Sequence, residues 1–137
     1  MRSLVLALIA IFGLSGAVHA QTSPEVPGVK ETIQSQMEAF TAEDPALAFT
    51  FASPFIQRMF GTPENFGTMV QRSYPMVWDN REVTYLDQRV EGGMLLQRLR
   101  ILDEIGGEHW FAYQMIQIEG KWRINGVFPL EAPDVSV

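Results

Sequence analysis

Three times between residues 44 and 63 a side chain able to cap a helix stands directly before a proline: Asp44-Pro45, Ser53-Pro54 and Thr62-Pro63. The cap oxygen accepts a hydrogen bond from a backbone N–H that has no partner inside the helix. Proline at the first helical position gives up nothing, because its missing N–H would have been unpaired there. Three helix starts are therefore specified in a stretch too short for long helices. Gly61 suits a left-handed stop for the helix that starts after Ser53, and Pro75 sets the end of the Thr62 helix near Ser73 or Tyr74. Ahead of them Val29, Ile33, Met37 and Phe40 make one apolar stripe at helical spacing, with Lys30, Glu31, Gln34 and Glu38 opposite. This spacing predicts a first helix from Val29 to near Thr41.

After residue 82 the periodicity changes to alternation. Val83–Glu91, Met94–Leu102, His109–Ile118 and Lys121–Phe128 read as strands, jointed at Gly92-Gly93, Gly106-Gly107 and Glu119-Gly120. Helices first and an antiparallel meander second is the α+β pattern, with helices packed on a sheet. Two-residue turns at Gly92-Gly93 and Glu119-Gly120 set a register in which Val90 faces Leu95, Leu86 faces Leu99, Gln117 faces Trp122, Met115 faces Ile124, Tyr113 faces Gly126 and Phe111 faces Phe128. The inner face then holds Leu86, Val90, Leu95, Leu99, Ile101, Phe111, Tyr113, Met115, Trp122, Ile124 and Phe128. Keeping Ile101 and Phe111 together requires an odd-length loop between the second and third strands, such as a three-residue turn. An even loop turns Arg98 and Arg100 inward instead. Phe40, Phe49, Phe51, Phe55, Phe60 and Phe66 lie in the helical half, and core packing explains them better than an aromatic ligand box.

The amino terminus carries a different signal. Arg2, the apolar run Leu4 to Leu14 and the small-x-small site Val18-His19-Ala20 before Gln21 form a secretory signal peptide over residues 1–20. The run is too short for a stable anchor and breaks at Gly13, Ser15 and Gly16. Export across the inner membrane, to the periplasm of a Gram-negative host, is expected, with no membrane anchor after processing. Residues 21–28 read as a proline-bearing flexible leader, 29–130 as the domain and 131–137 as a tail. The chain has a net charge of −6 before Arg2 is removed, which opposes binding to nucleic acid and to anionic membranes. With no cysteine there is no disulfide, thiol nucleophile, cysteine metal site or lipid-carrying residue after the cleavage site.

The hairpin Gly120-Lys121-Trp122-Arg123-Ile124, placed after helices and a bent sheet, resembles the superfamily named after nuclear transport factor 2, also called cystatin-like or SnoaL-like. The strings Phe49-Thr50-Phe51-Ala52-Ser53-Pro54, Phe60-Gly61-Thr62-Pro63-Glu64-Asn65-Phe66, Met69 to Trp78, Tyr113-Gln114-Met115 and Trp122 to Val127 resemble, in order, a family of small exported bacterial proteins known only as a domain of unknown function. The resemblance implies a cone in which helices close over a curved antiparallel sheet and leave a pocket. It implies no reaction, because the superfamily holds isomerases, dehydratases, hydrolases and cyclases beside transport factors and assembly domains.

Within that frame Tyr74, Trp78, Tyr113, Met115 and Trp122 are the candidate pocket residues, with His109 and Asp79 as polar rim. His109 as a general base is set against His109 as a partly exposed strand-end residue, and the second reading is preferred. Tyr113 points inward and its hydroxyl needs a partner, which a ligand carbonyl, a helix terminus or a water could supply. No inner-face carboxylate accompanies it; Asp79 and Glu82 near the mouth are the acidic alternatives, and Asp103-Glu104 reads as a solvated loop pair. Zinc, phosphate-loop and serine-triad patterns are absent, so no metal or cofactor is expected. Arg98, Arg100, Gln114 and Arg123 mark the outer face as a candidate interaction surface, where an acidic partner or a second copy forming a homodimer would dock. The alternative there is a solvated face with an Asp87–Arg98 pair contributing under ~1 kcal/mol. The favoured function is a noncatalytic module binding a small hydrophobic ligand or a protein; the competing one is a pocket enzyme moving a proton on a small hydrophobic molecule.

Overall fold

A computed structural model describes residues 25–133; the signal-peptide segment 1–20, residues 21–24 of the leader and residues 134–137 of the tail lie outside the described residues. Among the described residues five helices precede four strands: α1 Val29–Thr41, α2 Pro45–Thr50, α3 Pro54–Phe60, α4 Pro63–Ser73, α5 Pro75–Trp78, β1 Glu82–Glu91, β2 Met94–Leu102, β3 Glu108–Ile118 and β4 Lys121–Leu130. The strands pair antiparallel in the order β1-β2-β3-β4. All three cap-proline signals act as read. Asp44 accepts from Leu47 N–H at 3.0 Å, Ser53 from Ile56 N–H at 3.2 Å and Thr62 from Asn65 N–H at 3.1 Å. Gly61, at φ 78°, supplies the left-handed stop of α3. Pro75 does more than end α4. It also opens α5, a single turn that buries Val77 and Trp78 and is tied to α1 by Asn80, whose amide donates to Met37 and Val77 carbonyls.

Both outer hairpins turn on two residues with positive φ, Gly92-Gly93 (55°, 80°) and Glu119-Gly120 (50°, 79°), the handedness that matches strand twist. The register expected beside each turn holds: Val90 faces Leu95, Gln117 faces Trp122 and Met115 faces Ile124. Farther along, two bulges overturn it. In β1 the register shifts between Tyr85 and Gln88, so Tyr85 and not Leu86 faces Leu99. Buried Gln97 holds this bulge by donating to Leu86 O at 3.1 Å, and its own Oε1 accepts from Gln88 at 2.9 Å. In β4 Asn125 is the extra residue, so Tyr113 faces Val127, Phe111 faces Pro129 and Ala112 faces Phe128. Leu86 and Phe128, expected inward, are therefore exposed. Val90 keeps its partner, but at the tip of its hairpin it is 69 % exposed.

The β2–β3 loop spans residues 103–107, five instead of three, and its odd length puts Leu99 opposite Phe111 and leaves Arg98 and Arg100 outward. Asp103, read as a solvated carboxylate, organises this loop. It accepts from Ile105 N–H at 3.0 Å, Gly107 N–H at 2.7 Å and His109 Nε2 at 2.8 Å.

The core lies between α1, α4, α5 and the inner sheet face, where Ile33, Met37, Phe40, Leu95, Leu99, Ile101, Phe111, Tyr113 and Met115 are buried. Phe66 centres an aromatic cluster, with ring centroids 5.4 Å from Phe49, 5.7 Å from Phe60 and 6.0 Å from Phe40. Val26, near the end of the leader, packs against this core, and its N–H donates to Gln88 at 2.8 Å.

Candidate functional site

One helix of the layer has no fully buried residue. The side chains of α3 are apolar on more than one side, Phe55, Ile56, Met59 and Phe60, interrupted only by Gln57 and Arg58, yet none is buried. Its place is set from the N-terminal end. Ser53, itself buried, caps the helix and donates its hydroxyl to Asn125 Oδ1 at 2.8 Å, while Asn125 donates to Gln114 Oε1 at 3.1 Å. Ser53 N–H donates to Ile124 O at 2.8 Å and Ile124 N–H to Phe51 O at 2.9 Å. These bonds cover the free edge of β4 and explain the bulge, since Asn125 must reach both Ser53 and Gln114.

Between α3, α4 and the end of β4 lies a cavity of about 320 Å³. Phe66, Met69 and Val70 of α4 form one wall, Ile56 and Phe60 of α3 another, and Phe40, Val77, Tyr113 and Ile124 the floor. Phe55, Met59 and Phe128 stand at the mouth, 52 %, 57 % and 49 % exposed. Among the described residues the lining has no charged side chain. Of its amides, Gln36 donates to Ala48 O at 3.1 Å and Asn125 is engaged at both ends. Among the described residues, the buried side-chain polar atom left without a partner is the hydroxyl of Tyr113. Burial, then the neighbouring Tyr85 and Tyr74, push its pKa above the ordinary phenol value.

Residues 22–137 match the model of a domain of unknown function, DUF4864. The chain belongs to that family. No curated protein matches this chain. Its fold is similar to that of a SEC-C motif containing protein from Rhodopseudomonas palustris (14 % identity, TM-score 0.54, 76 % of this chain and 80 % of that one). It is also similar to a protein named as an NTF2-like transpeptidase from Campylobacter jejuni (8 % identity, TM-score 0.50, 72 % and 98 %). At these identities the likeness shows the fold alone: α+β, with helices on a curved four-stranded sheet of the nuclear transport factor 2 type.

The DUF4864 structure brings together only part of the residue set expected from sequence. Tyr74 and Tyr113 line the cavity. Trp78 does not; its ring packs on Phe40 at 5.7 Å as core. Met115 is buried beneath the helices, and Trp122 packs against the core at the start of α1, where a Cβ added to Gly28 would stand 3.0 Å from the indole. Asp79 closes α5 in an exposed position, and His109 is held by Asp103; neither is on the cavity wall. Phe40, Phe55, Phe60 and Phe66, for which core packing was preferred over an aromatic ligand box, all line the cavity, together with Ile56, Met59, Met69 and Val70, which the sequence did not single out.

On the outer face, Arg98 pairs with Asp87, and Arg100 with Glu108 at 2.8 Å. Gln114 is taken up by Asn125, and Arg123 Nη1 donates to Trp122 O at 3.1 Å. Arg98 and Arg100 are thus matched within the sheet and form no free basic strip. Among the described residues no cluster of His, Asp and Glu could hold a metal ion, and no helix is long and apolar enough to cross a membrane.

The His109–Asp103 pair has a pH signature. The hydrogen bond from His109, followed by that from Gly107 N–H, lowers the Asp103 pKa below the usual carboxylate range. The loop's stabilisation is therefore complete above about pH 4 and lost as pH falls through the lowered value. Asp103→Asn is expected to lower the melting temperature at neutral pH, with the difference from wild type closing below about pH 4. A difference that stays constant to acid pH in calorimetric scans contradicts the assignment.

Proposed function

We propose that this DUF4864 protein is an exported, noncatalytic binder of a small apolar molecule, taken up in the cavity between α3, α4 and β4. The observation that carries the reading is the cavity's composition: apolar walls with no charged side chain, opening between exposed Phe55, Met59 and Phe128. Its volume falls at the lower end of ligand pockets, roughly 300–1,000 Å³. Removing an apolar surface from water contributes roughly 25 cal/mol per Å², so exposed aromatic and thioether side chains at a mouth favour a ligand that covers them. Proton-transfer catalysis needs an acid or base titrating near working pH. The wall offers tyrosines, and burial moves Tyr113 away from that range. This favours binding over the enzyme reading.

Saturating tert-butylcyclohexane is expected to raise the melting temperature of the purified protein, since a ligand at about 100 times its Kd adds roughly 2.7 kcal/mol. No shift at the solubility limit contradicts the proposal. Export rests on Arg2, the apolar run to Leu14 and the Val18-His19-Ala20 site. Mass spectrometry of the periplasmic fraction is expected to find a chain starting at Gln21, and a cytoplasmic chain retaining residues 1–20 contradicts it.

A further inference from the structure

An apolar cavity selects by size and shape; a polar group in its wall selects by chemistry. In this wall the amides of Gln36 and Asn125 already have partners, whereas the Tyr113 hydroxyl is buried without one among the described residues. The Tyr113 hydroxyl has a proton to donate and no protein acceptor within reach among the described residues. A ligand that accepts its hydrogen bond supplies the missing partner.

We propose that the cavity's ligand is an apolar small molecule carrying one carbonyl group, and that the Tyr113 hydroxyl donates to that carbonyl oxygen. The inference rests on the cavity being a ligand site and adds the ligand's chemical class. Burial keeps the phenol protonated, so Tyr113 acts as a donor and the matching group must be an acceptor. A carboxylate is excluded as the favoured partner, because the lining has no cation to offset its desolvation. Tyr113 has no exposed surface in this conformation, so the ligand reaches the hydroxyl by displacing wall side chains. The wall without a fully buried residue is α3, so its half-buried Ile56 and Phe60 are the side chains to be displaced.

The test compares 4-tert-butylcyclohexanone with tert-butylcyclohexane on wild type and Tyr113→Phe, with the melting temperature of each unliganded protein measured alongside. The expected result is a Kd for the ketone weakened about tenfold by the substitution, as one hydrogen bond of roughly 1.4 kcal/mol requires. The hydrocarbon's Kd stays unchanged, and the unliganded variant melts no lower than wild type. A purely structural hydroxyl would instead lower the variant's melting temperature and leave the ketone with no special loss, which overturns the proposal. Equal weakening of both probes, or none, overturns the assignment of Tyr113 while the cavity remains a ligand site. If neither probe binds wild type, the cavity reading falls and this inference with it. An independent readout needs no substitution: the ring 13Cζ signal of Tyr113 shifts on adding the ketone but not the hydrocarbon, and the absence of that difference also overturns the proposal.

Discussion

Phe66→Ala is expected to destabilise the domain by about 3–5 kcal/mol, the range for removing a buried aromatic side chain, and to lower the melting temperature by on the order of 10–20 °C. Phe66 is 6 % exposed and touches three other rings, Phe40, Phe49 and Phe60, which come from α1, α2 and α3. The truncation removes the transfer free energy of the ring and leaves a hole that opens onto the existing cavity. The neighbouring helices cannot simply close over it. Phe66 is followed by Gly67, where α4 already meets α2 so closely that an added Cβ would stand 2.9 Å from Pro45 Cβ. That contact fixes the spacing of the two helices and limits collapse, which argues for the upper part of the range. Urea titration gives the value; a loss under about 1 kcal/mol would mean that the rings are loosely packed and that the helical layer is held by something else.

Met69→Trp is expected to abolish binding in the cavity, weakening tert-butylcyclohexane at least about tenfold, without lowering the melting temperature. Met69 is half-buried on α4 and lines the cavity from its more rigid side, so the larger ring enters space that the ligand needs. Filling a void contributes packing where the wild type has none, which is why stability holds while affinity falls. A variant that binds the probe as well as wild type would place the ligand elsewhere.

Much of this architecture is legible in the residues because it is local. Side chain before proline specifies a helix start through one hydrogen bond within three residues, and Asp44, Ser53 and Thr62 all make it. Turns of two residues fix the register beside them, and Val90–Leu95 and Met115–Ile124 follow. Register fails where a distant group intervenes. Asn125 bulges because it joins Ser53 on the helical layer to Gln114 on the neighbouring strand, and no pattern within β4 encodes that meeting. The Leu86 bulge depends in the same way on Gln97 of β2. The candidate site shares this limit. Tyr113 was legible from strand alternation, since the bulge beside it lies in β4 and changes its partner while β3 itself pairs with β2 without a break. Trp78 and Trp122 drew notice by size and proved to be packing residues, while the wall supplied by Met69 and Val70 depends on how α4 sits over the sheet.

Methyl-labelled NMR during titration with tert-butylcyclohexane decides whether the space between α3, α4 and β4 takes a small apolar ligand. Saturable shifts centred on Ile56, Met59, Met69, Val70 and Val127 are expected, with Leu86, Leu96 and Leu130 on the outer sheet face unmoved. Shifts confined to those outer-face leucines, or changes that rise linearly without saturation, would contradict it.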